Sequence, residues 1–310
     1  MVRLEYMSET GPPFANAASP GLGRQRPDPV ERDSRGILDP WLLRQRVGLT
    51  RYPPGPALAG LVDRLWAVRW DLPPGAVHRQ QVLTHPGANV SIGHPSARPG
   101  DSQPGPVEAR LNGVDRGLTT RVLVGQGWAV AALARPGGLG AFVSTPAAQY
   151  TDRVVPLGTA IDADEAALVR QVAAEPDEAA RVALLAAALE RAVDPGRAGP
   201  AAEVAEVARL AETSREVRLL ADLCAAAGLR ERTLQRMFLE YAGVSPTWVI
   251  RRYRLLEAAE AVREGAEVSW AEVAASLGYA DQAHLTRDFR AAIGQTPAAY
   301  ARAQRDRPIS

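Results

Sequence analysis

Between residues 47 and 157 the apolar positions come in short runs cut by proline and glycine. In DRLWAVRWDL (63–72), Trp66, Val68 and Trp70 alternate with Ala67 and Arg69, the two-residue period of a half-buried strand. ANVSIGH (88–94), TRVLVGQ (120–126), GWAVAALA (127–134) and LGAFVS (139–144) predict further short strands between turn residues. PSARPGDSQPGP (95–106) is loop composition. Residues 37–160 are therefore expected to form a β-rich domain, a small barrel or sandwich.

The period changes after Pro156. Asp162 or Asp164 can cap a helix over EAALVRQVAAE, and PDEAARVALLAAALERAV (176–193) opens a second helix with Pro–Asp. This helical extension, 161–195, either dimerises or buttresses the β domain. DPGRAGP (194–200) predicts a linker, and from 201 onward the pattern is helical with glycine turns. Residues 1–36 are rich in Pro, Gly, Ser and Ala without periodicity and predict a disordered tail. Residues 304–310 predict a short C-terminal tail.

The C-terminal third repeats itself. LADLCAAAGLRERTLQRMFLEYAGVSP (220–246) can be laid on WAEVAASLGYADQAHLTRDFRAAIGQTP (270–297). Gly228 falls on Gly278, while Leu234, Arg236, Phe238, Gly243 and Pro246 fall on Leu285, Arg287, Phe289, Gly294 and Pro297. Each copy is a short helix, a glycine turn and a second helix, the outline of a helix-turn-helix. The glycine closes the first helix in the left-handed conformation other residues resist. Leu234 with Phe238, and Leu285 with Phe289, lie four residues apart and face inward, whereas Arg236 and Arg287 lie off that stripe. Ser245–Pro246 and Thr296–Pro297 each place a cap before a proline at the first helical position, and SWAE (269–272) is a capping box. Residues 246–264 predict one connecting helix of about 27 Å, suited to heads in successive major grooves about 34 Å apart.

Composition changes this picture only at the edges. The chain has 310 residues, room for two modest cores, and all 36 of its basic residues are arginine. Arginine's planar fork can pair bidentately with phosphate or a guanine edge. The formal net charge is only +1, and residues 201–310 hold 15 arginines against 15 acidic residues. The distribution is uneven, however: Arg230, Arg232, Arg236, Arg251, Arg252 and Arg254 face only Glu231 and Glu240 over the same stretch. Local charge governs phosphate attraction, so DNA binding is permitted, with discrimination resting on base contacts. No apolar run reaches membrane-spanning length and no secretory signal is seen, so a cytoplasmic, nucleoid-associated protein is expected.

LQRMF, LGYADQAHLTRDF and GQTPAAY, with the two tandem units and their connector, resemble the DNA-binding region of AraC/XylS-family transcription regulators over residues 201–303. The resemblance implies that the second helix of each unit enters the major groove. It implies base-facing roles for Arg232, Gln235 and Arg236 in the first unit and for Gln282, His284 and Arg287 in the second, with Thr286 near phosphate. The sequence departs from the family where Arg230 and Asp281 stand in place of a frequent Ser, where Leu285 replaces a common Phe, and where the arginine after the terminal Tyr is displaced to Arg302. Residues 47–157 resemble, more weakly, the β-rich N-terminal domain of some members.

The expected architecture is thus a multidomain α+β chain: a β-rich barrel- or sandwich-like N-terminal domain, then an all-α double helix-turn-helix. Arg251, Arg252 and Arg254 are candidates for phosphate contact. Trp66, Trp70 and Trp128 either line an effector pocket or fill a core. His78, His85 and His94 lack the close His-x-His pair and following Glu of a metal site, so neither metal nor cofactor is expected. Cys224 aligns with Ala274 and predicts a small core residue. Expected partners are double-stranded promoter DNA, RNA polymerase, a small-molecule effector and a second copy in a homodimer, with no membrane. Two other readings stay open. One is a ligand-independent regulator whose N-terminal domain only dimerises. The other is an enzyme domain tethered to a DNA reader, against which stands the lack of a cysteine nucleophile or convincing triad outside the DNA-binding region.

Overall fold

The computed structural model describes residues 36–263 and 269–305. The expected N-terminal tail, apart from Gly36, lies outside the described residues, as do 306–310 and the 264–268 segment.

A short helix α1 (Pro40–Arg46), capped by Asp39 on the Leu42 amide, leads into β1 (Val47–Tyr52) and β2 (Val62–Asp71). Then follow β3 (Val77–Val82), β4 (Asn89–Gly93), β5 (Glu108–Asn112), β6 (Thr119–Val124), β7 (Gln126–Ala134) and β8 (Val154–Pro156). Strands β1-β2-β7-β4-β5-β8 form one antiparallel sheet, and β3-β6 a second, two-stranded one. The expected sandwich is present. LGAFVS is not a strand: Gly138–Ala141 is a buried 3-10 turn. Its backbone is pressed against neighbours, so that a Cβ on Gly138 would meet the Leu61 carbonyl at 1.9 Å, and one on Gly140 would meet Tyr241 at 2.4 Å. Such close approach requires glycine.

The large sheet has two occupied faces. Leu65, Ala67, Val90, Ile92, Leu111, Val130 and Ala132 face α2 (Glu165–Ala174) and α3 (Glu178–Ala192), where they meet Leu168, Val172, Val182, Leu185 and Leu189 in one core. Asp164 and Asp177 cap these helices. The apolar stripe of the helical extension is therefore buried on its own sheet, as a buttress. The opposite face looks across to β3-β6.

The stretch 194–200, expected as a linker, is instead the first turns of α4 (Pro195–Thr213). Asp194 caps the Gly196 amide and Pro195 occupies the first helical position, a start that outweighs the helix-breaking composition. This helix carries the chain from one domain into the other without an open linker.

The C-terminal region contains α5 (Leu220–Ala227), α6 (Glu231–Met237), α7 (Pro246–Arg263), α8 (Trp270–Ser276), α9 (Gln282–Ile293) and α10 (Pro297–Arg305). Helix α10 runs past the boundary expected at 303. Gly228 and Gly278 are left-handed, at φ 65° and 76°, as the turns require. Helix α6 continues as a π turn over Phe238–Ala242, so both second helices end at equivalent left-handed glycines, Gly243 and Gly294. Leu234, Phe238, Leu285 and Phe289 are fully buried, and each contributes roughly 1.5–3 kcal/mol of transfer free energy. Ser245, Ser269 and Thr296 cap α7, α8 and α10.

One core runs through both units and reaches Leu38, Leu83 and Val114 of the β domain. Three polar clasps reinforce this docking. Thr151 Oγ1 donates to the Gly243 carbonyl at 2.6 Å. Arg197 donates to the Gly140 carbonyl at 2.7 Å and pairs with Glu240 at 2.9 Å. Arg252 spans to two loops of the β domain, described below.

Candidate nucleic-acid interface and an internal cavity

The two second helices of the repeat, α6 and α9, bury the leucine–phenylalanine side and leave the opposite side open. Arg232 and Arg236 on α6 are exposed, as are Gln282 and Arg287 on α9. Gln235 is half-buried and donates to Glu231 at 2.8 Å. Thr286 is half-buried. His284 is half-buried against the Tyr279 ring at 5.2 Å, with Asp288 3.8 Å from its Nε2. Burial pushes the Tyr279 hydroxyl above the ordinary phenol range, with Asp288 adding to the effect. Asp281 caps α9 by accepting from the His284 amide at 2.6 Å, so the departure from serine keeps the cap. Arg230, at the same place before α6, makes no side-chain cap.

The connector α7 corrects the expectation for its arginines. Arg251 is exposed, but Arg252 and Arg254 are 2% and 4% exposed and face protein. Arg252 donates to the Arg116 carbonyl at 2.6 Å and lies over the Trp248 ring at 4.7 Å, while a longer contact of 3.5 Å reaches the Thr84 carbonyl. Arg254 binds the Ser214 and Val217 carbonyls and the Glu257 carboxylate. Neither guanidinium is offered to a phosphate here, because α7 is packed on several sides rather than lying on the surface as a rod. Burial pushes the Arg252 pKa down to about 10, against the opposing pull of Asp115 and Asp152; it stays charged at neutral pH.

Between the two sheets lies a cavity of about 250 Å³. Strand register divides its wall into layers. Arg51, Trp66, Ala131, Ser91 and Arg110 stand opposite one another across β1, β2, β7, β4 and β5, and Arg64, Leu133, Asn89 and Asn112 form the next layer on the same face. At the other end Leu49 faces Val68, and Val47 faces Trp70. From the small sheet Gln80 and Arg121, themselves a cross-strand pair, complete the polar end. Arg121 donates to Asn112 Oδ1 at 3.0 Å. Arg121 lines the cavity and keeps exposed area, yet it is crowded by protein: desolvation, then Arg110, push its pKa down, with Asp115 opposing.

Trp66 and Trp70 line this cavity, and the Trp70 indole also donates to the Val124 carbonyl at 3.1 Å. Trp128 does not line it. It stands opposite Arg69, on the other face of β7, with the Arg181 guanidinium 3.7 Å from its ring. The expected trio is thus split by strand alternation. His85 and His94 border the cavity, whereas His78 is buried beside it, its pKa lowered to about 4 chiefly by burial and then by Arg46. Among the described residues no group of three or more His, Cys, Asp or Glu gathers as a metal site. Cys224 is half-buried in α5, its thiol pushed up by burial and by Glu231.

Sequence reasoning missed Arg51, Arg64, Arg110 and Arg121 as cavity residues. The available signal was Glu108, Arg110 and Asn112 alternating with the apolar Ala109 and Leu111 in β5.

Two tandem helix-turn-helix units with exposed arginines on their second helices define a DNA-binding protein. A helix-turn-helix domain model matches residues 223–303, and a model described as a domain of unknown function, DUF6597, matches residues 50–156. Residues 223–303 form an AraC-type helix-turn-helix domain, the part of the chain that binds DNA. Solved structures of ToxT from Vibrio cholerae are similar at low identity. One at 1.65 Å resolution is 9% identical, with 83% of this chain and 98% of that chain covered and a TM-score of 0.39. Another, bound to (E)-4-(8-methylnaphthalen-1-yl)but-3-enoic acid, is 10% identical over 84% and 99% of the two chains, with a TM-score of 0.38. No helix of the described residues is long and apolar enough to cross a membrane.

Proposed function

We propose that the protein reads a bipartite promoter site with its two helix-turn-helix units and that a small molecule in the β-domain cavity sets its affinity for that site. Arg232 and Arg236 read one half-site; Gln282 and Arg287 read the other. Thr286 and Arg251 contact phosphate, while Arg252 and Arg254 hold the reading domain in place. Gln235 and His284, engaged with Glu231, Tyr279 and Asp288, orient their helices and can contribute a base contact at the edge of each site.

The observation that carries the regulatory part is the double use of one short segment. Thr84 lines the cavity, and its carbonyl faces Arg252 of the connector between the two reading heads. A ligand that moves the Thr84–His85 wall changes the packing of α7 and hence the relation of the heads. That is a differential contact with two states, which effector control requires. The burial of α2 and α3 on their own sheet favours this reading over a domain that only dimerises.

In vitro selection of bound duplexes from a random pool tests it. The expected result is a two-part motif with centres about 10 base pairs apart. Enrichment of a single undivided motif, or of none, would remove the bipartite reading.

A further inference from the structure

We propose that the cavity takes a small monocarboxylic acid with an apolar body, its carboxylate on the guanidinium of Arg121. This rests on the cavity being the effector site and names the class of effector.

Three observations converge. The first is the layered register: Arg51, Arg64, Arg110 and Arg121 gather at one end, while Leu49, Val68 and Trp70 make the other. A ligand that fills this space must itself be polar at one end and apolar at the other.

The second is how the charges there are already matched. Arg64 pairs with Asp63 at 2.7 Å, and Arg110 with Glu108. The Asp115 carboxylate, whose charge acts on Arg121 without pairing with it, accepts from Thr119 Oγ1 at 2.6 Å and from the Gly117 amide at 2.8 Å. Among the described residues no carboxylate comes within ion-pair distance of Arg121. Its contact is a neutral amide oxygen, and the same Asn112 is fixed in that orientation because its Nδ2 donates to the Asn89 carbonyl and to Ser91 Oγ.

The third is placement. An arginine has five donors in a planar fork, and here one meets Asn112 while the group stands at the wall of an internal cavity. Arg121 keeps exposed area at the cavity and has no carboxylate partner there, so a ligand's carboxylate can reach the donors that Asn112 leaves open. A bidentate carboxylate satisfies the fork and neutralises it. One guanidinium without a counter-ion matches a singly charged head; a phosphate dianion would bring a second charge that Arg64 and Arg110, already paired, are not free to meet. The volume limits the body to a small aryl or short alkyl group.

The test uses the full chain, read by thermal shift and by tryptophan fluorescence from Trp66 and Trp70. The probes are phenylacetate, 3-phenylpropionate and octanoate, each beside its primary amide, together with phenyl phosphate. At least one acid is expected to raise the melting temperature and bind about tenfold or more tighter than its amide, the range for a charge-assisted hydrogen bond. R121Q is expected to erase that preference and R121K to restore part of it. The acid–amide comparison on the unaltered protein stands even if R121Q folds poorly. Amides that bind as well as the acids would overturn the carboxylate assignment but leave the cavity as an effector site. Preference for phenyl phosphate would likewise overturn it, in favour of a dianion. Absence of binding by every probe, charged or neutral, would count against both the ligand class and the effector reading.

Discussion

The Arg252 guanidinium donates to the Arg116 carbonyl at 2.6 Å, joining the connector between two DNA-reading units to a loop of the β domain. The two residues are 136 positions apart. Replacing Arg252 with Gln should cost about 1–3 kcal/mol, because a part-buried carbonyl loses its charged donor and the buried side chain its packing. Its neighbour Arg251 is exposed, so Arg251→Gln should change stability by less than about 0.5 kcal/mol. Urea denaturation of both variants checks the contrast. If the two substitutions cost the same, the clasp at Arg252 contributes nothing.

The reading heads should fail separately. Arg236→Ala and Arg287→Ala are each expected to cost about 1–3 kcal/mol of specific binding and to relax readout in different half-sites. Arg251→Gln should instead weaken all sequences alike and lower the salt slope by about one. Gel shifts on the selected site and on its half-site variants separate these outcomes. Unchanged affinity in both alanine variants would sink the assignment of α6 and α9 as the reading helices.

Tyr241 sits against Gly140, where a Cβ would meet its ring at 2.4 Å and its backbone at 2.8 Å. Gly140→Ala therefore has no room without displacing the π turn of the first unit, and a cost of about 1–3 kcal/mol is expected. The control is Gly199→Ala, at a position with open space around it. Comparable melting temperatures for the two would contradict the close packing of the domains at this point.

His78 gives the β domain an acid limit. Its pKa is lowered from 6.5 to about 4 by burial, so between those values the unfolded chain binds the proton and the folded chain does not. Stability from this site is fully present above pH 6.5, falls as pH drops toward 4, and is then flat, a loss of about 3 kcal/mol in all. His78→Leu should flatten that limb in denaturation curves at pH 4.5 and 7. A wild-type stability unchanged across that window would show that another group compensates or that His78 is not sealed from water.

The contrast between the repeat and the cavity explains what was legible. Leu234 and Phe238, or Leu285 and Phe289, declare a helix face through local spacing, and the glycines at 228 and 278 declare the turn. These are short-range constraints, so the double helix-turn-helix and its exposed arginines could be read directly. Glu108, Arg110 and Asn112 follow an equally local pattern, yet an alternating charged face ordinarily predicts solvent. Only the arrival of β3-β6 across the sheet makes that face the inside of a cavity. The same holds for Trp128, which shares composition but not strand parity with Trp66 and Trp70.

By itself, then, the sequence determined the helix-turn-helix repeat, its glycine turns and caps, and the arginines left exposed on the second helices, because each depends on neighbours a few positions apart. The tertiary structure alone decided that α4 is no linker, that Arg252 and Arg254 hold carbonyls instead of phosphates, and that four arginines converge on one internal space. Those outcomes depend on contacts between segments far apart in the chain, where the burial of a charge is set by what packs over it and not by the residues beside it.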